Sequence, residues 1–175
     1  MNGARCVTYL QENFNSGSSI TNGWTQVNVL GGANWNISSF SGSTNKTKYA
    51  RISGYISGAN TNCENWLISP PINLSSANNP ALSFYTAAKF PGNTLDVLVS
   101  SNYATGSPSS ATWTSLAPNF ILSPNNYTSN YVWTFSGTLP LNAYKTANTR
   151  IAFKYTSTAT AAAQYQVDDI VIKEN

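Results

Sequence analysis

Apolar and polar residues alternate with a period of two along much of this chain. The clearest case is Arg150-Ile151-Ala152-Phe153-Lys154-Tyr155, where Ile151, Phe153 and Tyr155 fall on one face. Successive side chains of an extended strand point to opposite faces, so this pattern predicts a half-buried strand. Leu82 and Phe84 share a face within 81–86, as do Leu95, Val97 and Val99 within 95–99. Further strands are expected at 7–14, 24–29, 35–39, 49–53, 66–72, 112–116, 131–136 and 164–173. Clusters of Gly, Asn, Ser and Pro at 15–18, 30–32, 58–62 and 78–80 mark turns between them. No window carries the 3.6-residue repeat of a convincing amphipathic helix, and 139–147 has room for one helical turn at most. About ten short strands with such spacing indicate an all-β sandwich or barrel. Strict alternation in several segments favours two packed antiparallel sheets. Neither an internal repeat nor a linker is visible, so residues 1–175 are read as a single β-sandwich domain. The small-sided tract 156–163 is expected to form a hairpin loop between the last two strands.

The alternation breaks once, in the last strand. Tyr165 and Val167 share one phase, Ile170 and Ile172 the other, and Asp168-Asp169 lies between them. A β-bulge at that point would keep all four apolar side chains on the core face. Without a bulge, one carboxylate points inward, and an isolated buried carboxylate costs several kcal/mol. Either geometry asks for a positive partner. Oxygen-only ligation by scarce carboxylates, Asn side chains and backbone carbonyls suits Ca²⁺. The alternative is that one Asp is solvated while the other caps a turn or pairs with Arg or Lys.

Composition narrows the function. Charged residues are 9% of the chain, against about 25% in an average soluble domain. The surface must therefore be wetted by amides and hydroxyls, as in many proteins that work outside the cell. Five Trp, ten Tyr and seven Phe supply the burial that separates this polarity from disorder. The net charge of +3 comes from nine scattered basic residues, with no stripe to follow a phosphate backbone, so nucleic acid is not an expected partner. No apolar run approaches the roughly 20 residues of a membrane-spanning helix, and membrane insertion is not expected. Residues 1–6 hold no apolar leader segment, so the domain is read as excised from a longer exported protein. Sequons begin at Asn36, Asn45, Asn73 and Asn126 and matter only for a eukaryotic source. Cys6 and Cys63 either form one disulfide or stay as buried free thiols, and they are too few for a structural zinc site.

The ordered set Glu12-Asn13-Phe14, Gly23-Trp24-Thr25, Asn34-Trp35, Glu64-Asn65-Trp66-Leu67-Ile68-Ser69-Pro70 and Val167-Asp168-Asp169-Ile170 spans nearly the whole chain. It resembles the choice-of-anchor J and cleaved-adhesin domains of bacterial surface and secreted proteins, and more distantly the MAM domains of animal receptors. The resemblance implies a jelly-roll β-sandwich of the galactose-binding-like kind, an extracellular or cell-surface location and a non-catalytic role. It also implies a structural calcium ion joining the first and last strands. The matching positions are Glu12 and Asp168 or Asp169, with Glu64 and Asn65 as secondary metal candidates. A second, acidic calcium loop found in many cleaved adhesins has no carboxylates here: the corresponding stretch, 26–33, is uncharged.

Sugar rings stack on flat aromatic faces and are oriented by amides and hydroxyls, both abundant here. Trp66, Phe84 and Phe153 read as core. Trp35, Tyr55, Tyr85 and Trp113 sit beside polar loops or opposite an apolar strand face, and are the candidate ligand platforms. Arg51 and Lys89 could add charge-assisted bonds, the alternative for both being plain surface solvation. The chain contains no His, which removes Ser-His and Cys-His nucleophile pairs and His-ligated metal sites. The expectation is a monomeric, non-enzymatic, carbohydrate-binding or adhesive module whose partner is a glycan or a cell-surface protein. A protein-interaction domain with no glycan ligand, or a polysaccharide-active enzyme, is the alternative.

Overall fold

A computed structural model describes residues 7–39, 47–128 and 130–175. Cys6 and the Asn45 sequon lie outside the described residues. The strands in chain order are β1 (Thr8–Glu12), β2 (Thr25–Leu30), β3 (Asn36–Ser38), β4 (Tyr49–Ser53), β5 (Tyr55–Ile56), β6 (Ala59–Asn60) and β7 (Cys63–Ile68). They continue with β8 (Pro80–Lys89), β9 (Asp96–Ser100), β10 (Thr114–Ser115), β11 (Thr134–Phe135), β12 (Leu139–Pro140), β13 (Arg150–Ser157) and β14 (Gln164–Glu174). The helical turn anticipated in 139–147 is a short 3₁₀ segment, Asn142–Tyr144.

Two antiparallel sheets face each other. The front sheet runs β11-β8-β14-β4-β3, with β1 also pairing β14 and β12 also pairing β8; the back sheet runs β10-β9-β13-β7-β2. A separate β5-β6 hairpin stands at one end. The inward residues are those the alternation selects. Leu82 and Phe84 of β8, Val97 and Val99 of β9, and Ile151, Phe153 and Tyr155 of β13 are all buried in one core. Phe84 of the front sheet meets Phe153 of the back sheet edge-on at 5.1 Å, and Phe120 edge-on at 4.8 Å. Such ring pairs add about 0.5–1.5 kcal/mol beyond the area they bury.

The bulge is present. Asp168 is opposite Tyr85 and Val171 opposite Ser83, so Asp169 and Ile170 together face one residue of β8. Asp169 has φ 46°, a left-handed conformation that Asp tolerates better than most residues. Tyr165, Val167, Ile170 and Ile172 consequently all reach the core. The bulge has a topological cause as well. One edge of β14 pairs with β4 over Gln164 to Val167 and with β1 over Ile170 to Lys173. The two Asp residues sit where that edge passes from one partner to the other, which also brings the first and last strands together.

The loop at 158–163 is not a hairpin. β13 belongs to the back sheet and β14 to the front, so this tract crosses between sheets. Tyr155 locks the crossing: its phenol accepts the Gly54 N–H at 2.7 Å and donates to the Ala163 carbonyl at 2.6 Å. A Cβ at Gly54 would lie 2.0 Å from Ser157 Oγ, so only glycine permits this approach. Cys63 carries a buried free thiol. Among the described residues no helix is long and apolar enough to cross a membrane.

Candidate functional site

Because Ala50, Ile52, Tyr165, Val167, Phe84 and Ala88 point into the core, their neighbours line the outer face of the front sheet. The register sets them in rows. Gln164 lies between Ser53 and Lys89, Gln166 lies between Arg51 and Ala87, and Asp168 is opposite Tyr85. Arg51 Nη2 donates to Gln164 Oε1 at 2.5 Å, which fixes the guanidinium against the sheet.

Loops build walls around this floor. The β5-β6 hairpin carries Tyr55, 59% exposed, and is tied to the sheet crossing by Asn60 Nδ2 donating to the Thr160 carbonyl. Opposite it stand Phe90, 39% exposed, and Tyr127, 76% exposed, their rings 6.3 Å apart. The Phe90 N–H bonds the Asn126 carbonyl at 3.0 Å, anchoring the Tyr127 loop to the end of β8. Lys89 Nζ lies 5.5 Å from the Phe90 ring and 5.7 Å from that of Tyr131. Burial pushes the Tyr131 phenol above its ordinary pKa, and the nearby Arg51 charge pulls against that shift. Trp133 meets Tyr49 edge-on at 5.5 Å on the same face. The enclosed cleft has a volume of about 460 Å³ and includes Arg51, Ser53, Tyr55, Asn60, Tyr127 and Gln164 in its lining. A second hollow of about 240 Å³ shares Arg51, Ser53 and Tyr55 and extends toward Asn34 and Asn36.

Four of the six expected ligand residues, Arg51, Tyr55, Tyr85 and Lys89, thus meet on one face. Tyr85 is half-buried against Phe135, 5.2 Å away. Two do not belong. Trp35 is 1% exposed and part of the core, so nothing can stack on it; a polar neighbourhood in sequence was a poor guide because β3 pairs β4 and turns this ring inward. Trp113 lies on the outside of the back sheet, sandwiched with Trp66 and Tyr103 at 5.3 Å each. Gln164, legible as the residue out of phase with Tyr165, and Phe90, Asn60 and Tyr127, which sit in turns or short hairpins without periodic signal, were missed.

The metal candidates also separate. Glu64 Oε1 accepts the Trp66 indole N–H at 2.8 Å and pairs with Lys154 at 3.4 Å on the back sheet. Asn65 is buried there, its Nδ2 on the Ala33 carbonyl at 2.9 Å. Neither reaches the bulge, so both drop out of any set with Glu12. Glu12 is buried, opposite Ile170; its carboxylate accepts the Phe14 N–H at 2.6 Å and Asn22 Nδ2 at 2.9 Å. Asp168 is buried and Asp169 half-buried. Among the described residues no three acidic, Cys or His side chains form a metal-binding group. Glu12, Asp168 and Asp169 would offer only hard oxygen donors, the kind Ca²⁺ takes.

A further hollow of about 570 Å³ lies outside the back sheet around Asp96, Ser115, Pro118 and Lys154. Its charges are already engaged, Asp96 by Ser115 Oγ at 2.5 Å and Lys154 by Glu64, and its ring, Phe120, is buried. The front cleft is the better candidate because its rings are exposed.

Residues 72–174, more than half of the chain, match the family described as a domain of unknown function, DUF5017. The chain belongs to this family. No curated protein matches this chain by sequence. Among solved structures it is similar to the K3 cleaved adhesin domain of Lys-gingipain from Porphyromonas gingivalis W83, at 20% identity over 97% of this chain and 99% of that one, with a TM-score of 0.65. The K2 domain of Lys-gingipain gives 19% identity over 99% and 100% of the two chains and the same TM-score, 0.65. TmCBM61, solved with β-1,4-galactotriose, gives 12% identity over 97% and 99%, with a TM-score of 0.59. At these identities the likeness establishes a shared jelly-roll fold for this DUF5017 domain.

Proposed function

We propose that this DUF5017 domain is a non-catalytic, extracellular carbohydrate-binding module whose ligand lies in the front cleft. The observation that carries the reading is the ring of exposed Tyr55, Phe90 and Tyr127 around a floor of Arg51, Ser53 and Gln164. Rings left in water at the rim of a polar hollow are the arrangement that sugar recognition needs. Shared fold with adhesin domains and with a module solved with a bound galactan oligosaccharide supports the reading. The absence of His from the sequence, and the engagement of Glu64 and Asp96 in structural contacts, weigh against a hydrolase. A glycan array with the intact chain tests it. Tyr127→Ala should weaken any bound glycan by about tenfold or more, as loss of a central aromatic anchor does. Binding that is unchanged by both Tyr127→Ala and Tyr55→Ala places the ligand elsewhere.

A structural Ca²⁺ at the β1-β14 junction belongs to the same proposal. The bulge, the positive φ of Asp169 and the buried Glu12 beside it support it. At a hundredfold excess over its Kd, an ion that binds only the folded state stabilises it by about 2.7 kcal/mol. Thorough chelation should lower the melting temperature by several degrees, and Ca²⁺ should restore it better than Mg²⁺. Demetallated protein that melts identically with and without millimolar Ca²⁺ contradicts the site.

A further inference from the structure

Resting on that reading of the front cleft, we infer that the glycan it takes is acidic, and that a carboxylate on the sugar chain meets Arg51. The two hollows of about 460 and 240 Å³ share Arg51, Ser53 and Tyr55, so one groove passes across the guanidinium. Among the described residues, Arg51 is the only charged one lining either hollow. A second cation, Lys89, stands at the margin across Gln164, two strands from β4 and therefore about 10 Å away along the sheet. Asp168 is on the same face but lines neither hollow.

Hydrogen-bonding arithmetic points the same way. A neutral sugar hydroxyl both donates and accepts, and is best met by amides and carboxylates together. Arg and Lys only donate, and the one amide oxygen nearest Arg51, Gln164 Oε1, is already taken by Nη2. Arg51 Nε is enclosed with no hydrogen-bond partner. Such a donor-rich floor is complemented by an acceptor-only group. A carboxylate matches the planar guanidinium fork better than a sulfate or a hydroxyl does, because two parallel N–H···O bonds can form in one plane. The continuity of the groove on both sides of Arg51 fits an internal stretch of chain, with the acid at its middle.

The test compares polygalacturonate, its fully methyl-esterified form, a neutral galactan and a sulfated galactan by affinity electrophoresis and calorimetry. Polygalacturonate should bind at least about tenfold tighter than its methyl ester, the size of one charge-assisted hydrogen bond. Added salt should weaken the acidic ligand more than the neutral one. Gln164→Glu places an internal carboxylate on Arg51; the variant should keep its melting temperature and lose the preference for the acid. Arg51→Lys should lower affinity for the acid by a larger factor than affinity for neutral galactan. Equal binding of acid and methyl ester, or tighter binding of the sulfated galactan, overturns the carboxylate inference and leaves the module reading intact. Failure of the wild-type chain to bind any glycan overturns both.

Discussion

The two outer faces of the sandwich carry similar residues and do opposite things with them. On the back face, Trp113 packs at a tilt against both Trp66 and Tyr103, Lys154 lies 5.1 Å from the Trp66 ring and Arg150 5.7 Å from that of Tyr103. Every donor there has an internal use. Arg150 bonds the Ser69 carbonyl at 2.9 Å, and the Trp113 indole bonds the Pro108 carbonyl at 3.0 Å. The result is a small closed core on the outside of a sheet, with Trp66 only 6% exposed. On the front face, Phe90 and Tyr127 meet at 6.3 Å yet stay exposed, as does Tyr55 on its own hairpin, and Arg51 bonds Gln164. Aromatic rings with cations therefore do not define a site. What distinguishes one is whether the rings stay exposed once those contacts are made.

That contrast fixes the order of effects. Trp66→Ala should remove the centre of the back cluster and destabilise the fold by about 3–5 kcal/mol, the usual cost of emptying a buried Trp site. Urea unfolding measures it, and glycan affinity in the surviving folded fraction should not change. Tyr127→Ala should show the reverse: stability within about 0.5 kcal/mol of wild type and a large loss of binding. A stability loss for Tyr127→Ala equal to that of Trp66→Ala would erase the distinction between the faces.

The smallest expected effect lies away from both faces, at the β1-β14 end. The Tyr9 phenol and the Asn78 and Asn79 N–H groups all donate to the Glu174 carboxylate. Those bonds, the phenol's first, hold its pKa below the ordinary carboxylate range. A depressed carboxyl stabilises the fold above its unfolded pKa, and the contribution is lost as pH falls through the folded value. Glu174→Gln should therefore lower the melting temperature slightly at neutral pH and flatten the acid side of the profile, the two proteins converging below about pH 4, where ordinary carboxylates are protonated.

Much of the scaffold was legible because strand alternation is local. The inward sets of β8, β9 and β13 follow from spacing, and the phase break at Asp168-Asp169 marked where the bulge, one of two readings open there, is found. Arg51 and Tyr85 were recoverable for the same reason, as positions out of phase with a buried neighbour. Trp35 misled because its orientation depends on which strand β3 joins, a long-range fact. Glu64 and Asn65 misled because β7 lies in the sheet opposite to Glu12. Tyr127 and Phe90 left no pattern: a loop side chain is placed by contacts such as Phe90 N–H to the Asn126 carbonyl, not by periodicity. The 156–163 tract looked like a hairpin loop because small polar turns join either strands of one sheet or strands of two.

The central claim is that the open front face, not the closed back face, is the binding surface. Titrating isotope-labelled protein with a short oligogalacturonate, and with its neutral galactan counterpart, tests it by amide and side-chain chemical shifts. The account predicts perturbations that cluster at Tyr55, Phe90, Tyr127, Thr160 and the Gln164 side-chain amide, with the acid giving the larger response near Arg51. Perturbations centred on Trp113, Tyr103 and Lys154, with the front residues unmoved, would contradict it.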